Sequence, residues 1–223
     1  MATCSIKNVV CTFDLGRTIN CAVVASCFGA RYDNKVFPAL VSNCMETNTS
    51  AQFFATGRVV IVGCRTEETG LEAAHRLVLA LWKRCGIDGS MLNFSVRNIV
   101  VALSLGFEVD LDKMREESGD WPGMVLENAR GEGGSAYDPA RFSGMSFAMT
   151  DPMCSQHTIT FAIFETGNGI ATGLKHKGQL ESVLEILSRF DRYECTPEQT
   201  CEREQERALR DKVVAARIKR VKQ

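Results

Sequence analysis

The chain has 223 residues and 24.6 kDa, with 45% hydrophobic residues, 24% charged residues and a net charge of −1. That apolar content can build a core and excludes disorder for the bulk of the chain, and no apolar run approaches the ~20 residues a membrane span needs. Near-neutrality argues against nucleic-acid binding driven by charge alone.

The segment Met1–Lys7 has no basic region followed by an apolar one, so no secretory signal is expected. Asn8 to Leu15 reads as a strand, and Asn20 as the N-cap of a short apolar helix ending near Phe28. Tyr32-Asp33-Asn34 forms a turn, and Phe37–Met45 and Ser50–Ala55 follow as strands. Thr56-Gly57 makes a tight hairpin into the β-branched run Arg58–Cys64. Thr66 caps a helix whose apolar stripe is Leu71, Ala74, Val78, Leu81 and Trp82, and Gly86 closes it.

The same order then recurs. Lys7-Asn8-Val9-Val10 is matched by Arg97-Asn98-Ile99-Val100, and the Tyr-Asp turn leading to Phe37 by Tyr137-Asp138 leading to Phe142. Phe54-Ala55-Thr56-Gly57 is matched by Phe164-Glu165-Thr166-Gly167. The offsets of 90, 105 and 110 residues grow along the chain, as insertions in a second copy would make them. The expected units are a first repeat at 6–93 and a second at 94–192, with an insert at about 108–135 and a charged tail at 193–223. The insert ends in Gly131-Glu132-Gly133-Gly134-Ser135, a flexible loop, and the hairpin around Asp151–Gln156 is lengthened. The second repeat ends in a helix with Leu180, Val183, Leu184 and Leu187 inward. The tail is a solvated helix or disordered, with a basic end. Trp121 is expected to pack within the insert and carries no assigned function.

Strand, helix, three strands and helix, twice over, predict an α+β fold: an antiparallel sheet with helices on one face and the other face bare. Alternation puts Asn8, Val10, Phe54, Arg58, Val60 and Val62 of the first repeat on the bare face, with Asn98, Val100, Phe142, Phe164, Ile170 and Thr172 of the second. An exposed apolar face of this size implies a partner. The minor groove of DNA suits it: apolar groups fit the floor, asparagine can donate to A N3 and T O2, and phenylalanine can wedge between base steps. Ten cysteines without a Cys-x-x-Cys pair, and three histidines (His75, His157 and His176) far from any cysteine pair, read as reduced thiols with no metal site. No phosphate loop or nucleophile elbow occurs, and no histidine has a partner repeated in both copies, so an enzyme is not expected and no cofactor is implied.

From Ile6 to Arg192 the chain resembles the TATA-binding protein family, on the two Asn-(Val/Ile)-Val segments, the four phenylalanines and the paired Thr-Gly hairpins. The resemblance implies a ten-stranded saddle with pseudo-two-fold symmetry and four helices on its convex face. It also implies a nuclear transcription initiation factor that bends promoter DNA through the minor groove and nucleates a preinitiation complex. Phe37, Phe54, Phe142 and Phe164 correspond to the intercalating wedges, and Arg58, Arg65 and Lys175 are available for phosphates, with Lys35 and His176 nearby. The implied partners are double-stranded promoter DNA, factors resembling IIA and IIB, and other promoter-binding subunits, with no membrane. Asp138 would meet the IIB-like factor, and Arg76, Lys83 and Arg84 would meet regulators on the convex helix. The chain departs from the family pattern at Gln52, Val62, Ala162 and Asn168, and at Asn43 and Ala148 where arginines are usual. Those departures support an alternative: a saddle scaffold with weak or no autonomous TATA binding that acts through protein partners.

Overall fold

The computed structural model describes residues 2–44, 47–117, 121, 124–126 and 142–221, with side chains described for all of these except 124–126, 207, 210 and 213–221. In the first repeat β1 (Thr3–Asp14) leads to α1 (Cys21–Phe28), then β2 (Ala39–Cys44), β3 (Thr49–Phe54), β4 (Arg58–Cys64) and α2 (Glu67–Cys85). The second repeat runs β5 (Leu92–Ser104), α3 (Leu111–Glu116), β6 (Met124–Leu126), β7 (Gly144–Asp151), β8 (Cys154–Phe164), β9 (Asn168–Leu174) and α4 (Gln179–Leu187). A 3₁₀ turn at Phe190–Tyr193 and the helix α5 (Pro197–Val221) follow.

All nine strands form one antiparallel sheet in the order β2-β3-β4-β1-β5-β9-β8-β7-β6. Read outward from the central β1–β5 pair, each repeat contributes the same sequence of strands, so the sheet has a pseudo-two-fold axis between β1 and β5. The count differs from the ten strands expected: among the described residues each repeat supplies four, and β6 adds a ninth from the second-repeat insert.

Alternation decides which face is covered. Val9, Cys11 and Phe13 of β1 and Ile99, Val101 and Leu103 of β5 are buried beneath the helices, while Asn8, Val10, Thr12, Asn98 and Val100 between them stay partly exposed. Local chemistry sets the helix ends. Asn20 Oδ1 accepts from the amides of Ala22 and Val23 at 3.0 and 3.3 Å, and Thr66 Oγ1 accepts from Thr69 N at 3.1 Å. Gly86 ends α2 in the left-handed conformation, with Glu67 and Glu68 in its first turn and Lys83 and Arg84 in its last, matching the helix dipole.

The buried face of α2 is not the expected one. Gly70, Ala73, Ala74, Leu77 and Leu81 face the sheet, whereas Trp82 is 57% exposed, Leu71 is exposed and Val78 is half-buried. The helix has two apolar faces, and the one with small residues allows the closer approach to the strands. In α4, Val183, Ile186 and Leu187 are buried, but Leu184 is exposed and Leu180 half-buried.

The second repeat has its own anchors. Trp121 donates to the Tyr193 hydroxyl at 2.6 Å and packs on Phe190. Asp151, at the β7–β8 hairpin, accepts from Gln179 Nε2, from Ser182 Oγ at 2.7 Å and from Met153 N at 2.9 Å, which ties the hairpin to the start of α4. Thr196 and Gln199 cap α5 reciprocally, and Gln199 and Arg203 bond Asp110 and the Val109 carbonyl, fixing the first turns of the helix to the body.

Candidate nucleic-acid interface

The open face is organised around two asparagines. Asn8 stands opposite Val100, and Val10 opposite Asn98, so the pair flanks the pseudo-two-fold axis. Each asparagine is held by the strand next to it. Gly63 N donates to Asn8 Oδ1 at 2.8 Å, and Gly173 N donates to Asn98 Oδ1, also at 2.8 Å. Both amides are turned inward by a bulge, where the register of β1 on β4 jumps from Val9↔Cys64 to Cys11↔Ile61 and that of β5 on β9 jumps likewise. Gly63 and Gly173 sit in the bulges at φ 92° and 99°, a conformation that side chains with a Cβ adopt only under strain. Because the glycine amides occupy Oδ1, the NH₂ ends are the groups left to donate. Asn98 has a further tie: its amide exchanges hydrogen bonds with the Thr172 hydroxyl at 3.1 and 3.2 Å. Val62 fills that place in the first repeat and offers no such bond.

Around the asparagines Val10, Val60, Val62, Val100 and Thr172 are half-buried, and Ile170 is 44% exposed. The phenylalanines lie toward the outer ends of the two repeats. Phe37 and Phe142 are 41% and 47% exposed, while Phe54 and Phe164 are half-buried. In the second repeat the Phe142 and Phe164 rings meet edge to face at 5.5 Å. They close over Gly144, where an added Cβ would lie 2.9 Å from both rings. Ala39 holds the matching position opposite Phe54, so the first repeat has a methyl group where the second has the two ring edges.

The cations are arranged symmetrically too. Arg65 Nη1 donates to the Lys7 carbonyl at 3.0 Å and Lys175 Nζ to the Arg97 carbonyl at 2.6 Å, which brings both charges beside the asparagines. Arg58 is exposed at the start of β4, and its counterpart is Asn168. Sequence reasoning missed Arg97, which lines a depression of about 180 Å³ with Arg58, Thr12, Asp14, Asn93 and Ser95. The signal was present: a basic residue precedes the key asparagine in both copies, as Lys7 and Arg97. The two bulge glycines recur in the sequence, in Val62-Gly63-Cys64-Arg65 and Thr172-Gly173-Leu174-Lys175, but their part in holding the asparagines is not legible in it.

On the helix-covered face Arg76 pairs with Glu72 at 2.8 Å, Arg84 lies over the Phe28 ring at 5.4 Å, and Lys83 is exposed. Lys35 and His176 are exposed. Asp138 lies outside the described residues. All ten cysteines are free thiols, and no helix among the described residues is long and apolar enough to cross a membrane.

A sequence model of the family described as transcription factor TFIID (or TATA-binding protein, TBP) matches residues 3–83 and 93–190. The TATA-box-binding protein of Danio rerio is 27% identical over 190 residues, covering 83% of this chain and 57% of its own length. That of Saccharomyces cerevisiae is 26% identical over 191 residues, covering 83% of this chain and 72% of its own. The chain thus spans little more than half of the first relative. Among solved structures, the Methanococcus jannaschii TBP matches with a TM-score of 0.66 at 26% identity, over 85% of this chain and 98% of that one.

Proposed function

The chain belongs to the TATA-binding protein family and has its duplicated saddle fold, and on that premise we propose that it is a transcription initiation factor acting in the nucleus. In this reading the open, concave face binds promoter DNA through the minor groove and bends it, and the bound saddle nucleates the initiation complex. The observation that carries the reading is the pair of asparagines at the axis, each with Oδ1 bound by a glycine amide and N–H left to donate, both hydrogens of Asn8 and the one of Asn98 not directed at Thr172. The minor-groove edge of an A·T pair shows only acceptors, so two fixed donors at the centre of an apolar surface are complementary to it.

The other residues then take roles by position. Val10, Val60, Val62, Val100, Ile170 and Thr172 lie on the groove floor, Phe37 with Phe54 and Phe142 with Phe164 wedge into base steps, and Arg58, Arg65 and Lys175 approach phosphates. Bending a site of this kind costs on the order of 1–6 kcal/mol, which burial of the exposed apolar residues can offset. Factors resembling IIA and IIB and other promoter-binding subunits would dock on the outer surfaces, with Arg76, Lys83, Arg84 and Asp138 as candidate contacts. The repeats at 6–93 and 94–192 would serve one half-site each, with the tail at 193–223 outside the groove. No catalytic step is assigned.

A second reading, a scaffold that grips DNA only with partners, is favoured by the charges. Arg65 and Lys175 are tied to backbone carbonyls, Asn168 replaces a cation, and the net charge is −1. Fluorescence anisotropy of the chain with a labelled TATA duplex, with and without general factors and across salt, separates the two. Log affinity should fall with log salt by about 0.9 per neutralised phosphate, giving a shallow slope here. Binding and bending by the chain alone support the first reading. Binding only with factors selects the scaffold, and no binding in either case overturns both.

A further inference from the structure

The open face of the first repeat carries a polar group that the second lacks at the same place. Gln52 on β3 lies between Val41 of β2 and Val60 of β4, two residues before Phe54 and on its face of the strand. Ala162 holds the matching position on β8, between Ser146 and Ile170 and two residues before Phe164. Gln52 is half-buried, and among the described residues no hydrogen bond engages its amide.

The groove edges of the two base-pair types decide what that amide can do. A·T and T·A pairs present acceptors only, and a G·C pair adds one donor, the guanine N2 amino group. Asn8 and Asn98 turn Oδ1 toward Gly63 N and Gly173 N, which leaves the NH₂ ends, donors rather than acceptors, as the groups they offer on the open side. Valine and alanine side chains cannot accept either, so guanine pressed against them would leave its amino group unpaired. Glutamine has a carbonyl acceptor on a side chain long enough to reach past the flanking valines.

We propose that Gln52 reads a G·C pair, its Oε1 accepting from the guanine N2 amino group beneath the outer part of the first repeat. The inference rests on the minor-groove reading above and adds its substrate class: an A·T-rich site with one G·C pair toward the Phe37–Phe54 end. A nearly symmetric saddle can sit on a symmetric site in either direction. One such pair favours one direction by the strength of one hydrogen bond, about fivefold.

The test uses the full chain and a series of labelled A·T-rich duplexes, each with a single G·C pair at a different position. A matching series carries inosine·C, which lacks only the N2 amino group. At one outer position G·C should bind about fivefold tighter than inosine·C. Gln52→Leu should abolish that difference while keeping affinity for all-A·T duplexes, and Ala162→Gln should create a second such position toward the other end. Equal binding of G·C and inosine·C at every position, or a difference that survives Gln52→Leu, overturns the inference alone. Failure to bind any duplex, including all-A·T ones, overturns the minor-groove reading beneath it and the inference with it.

Discussion

Asn98→Asp separates holding the open face together from using it. In the fold Asn98 Oδ1 accepts from Gly173 N at 2.8 Å, and Thr172 Oγ1 can donate to the same oxygen at 3.2 Å. A carboxylate in the same rotamer accepts both bonds, so the melting temperature should shift by no more than about 2 °C, the equivalent of roughly 0.5 kcal/mol. The NH₂ group, however, is gone, and in the proposed minor-groove complex a carboxylate would then face the acceptors A N3 and T O2. Losing a donor and gaining an unpaired charge costs about 1.5–3 kcal/mol, or roughly a 10- to 150-fold loss in affinity for A·T-rich duplex. Asn98→Ala should behave differently, because it strips Gly173 N of its acceptor. It should lose about 1–2 kcal/mol of stability, a fall of roughly 2–8 °C for a chain of this size. The assays are thermal melting and anisotropy titration on the same preparations. If the Asp variant binds duplex like the parent, the asparagine amides do not face the groove. If it melts as early as the Ala variant, the glycine bond is not what Oδ1 is for.

Phe37→Ala and Phe142→Ala remove side chains that are 41% and 47% exposed, so each should cost under about 1 kcal/mol of stability while reducing the bend measured by energy transfer across a labelled duplex. Early melting with normal bending would make them core residues. Gly144→Ala places a methyl group 2.9 Å from both ring edges of Phe142 and Phe164 and should cost about 1 kcal/mol, with loss of bending at that end, whereas Ala39→Gly should not. Equal bending by the two variants would show that the ring pair is not a wedge. Burial pushes the Asp151 carboxyl up, but bonds from Gln179, Ser182 and the Met153 amide, with His157 nearby, outweigh this and hold it below the ordinary carboxylate range. Its folded-state value is therefore the lower one, so its contribution is present at neutral pH and lost as pH falls through the acid range. Asp151→Asn should flatten the melting-temperature profile there, and an unchanged acid limb would refute the assignment.

Short-range signals carried most of what was legible in the sequence. The caps at Asn20 and Thr66 and the stop at Gly86 depend on one or two neighbours each, and the duplication showed in three ordered blocks. The phase of α2 was not legible. Leu71, Val78 and Trp82 make as regular a stripe as Ala74, Leu77 and Leu81, and only packing against the strands decides that the small residues go inward. The start of β1 at Thr3, five residues before the expected Asn8, reflects pairing with β5 along its whole length rather than local propensity. In the candidate site the residue types were readable, but their orientation was not. That Oδ1 of each asparagine points inward follows from a bulge, and a bulge is a property of two paired strands.

The two repeats share a backbone but not a chemistry, and only their differences can orient the molecule on another. The symmetric features, Asn8 with Asn98 and Arg65 with Lys175, add equally to binding in either direction and so cannot choose between them. The choice must come from unmatched positions, which include Gln52 against Ala162, Val62 against Thr172, Arg58 against Asn168 and Ala39 against Gly144. Three of these four give the first repeat a free amide, a cation or an asparagine without a threonine tie, and the fourth gives the second repeat its nested ring pair. If the open face meets the minor groove, the long polar and charged side chains of Gln52 and Arg58 lie toward one end of the saddle and the nested ring pair toward the other. Exchanging the four positions between repeats should then reverse the preferred direction on an asymmetric duplex without lowering the melting temperature by more than about 8 °C, because three of the four pairs lie on the open face outside the core and the fourth costs about 1 kcal/mol each for the methyl lost at Ala39 and the one forced in at Gly144.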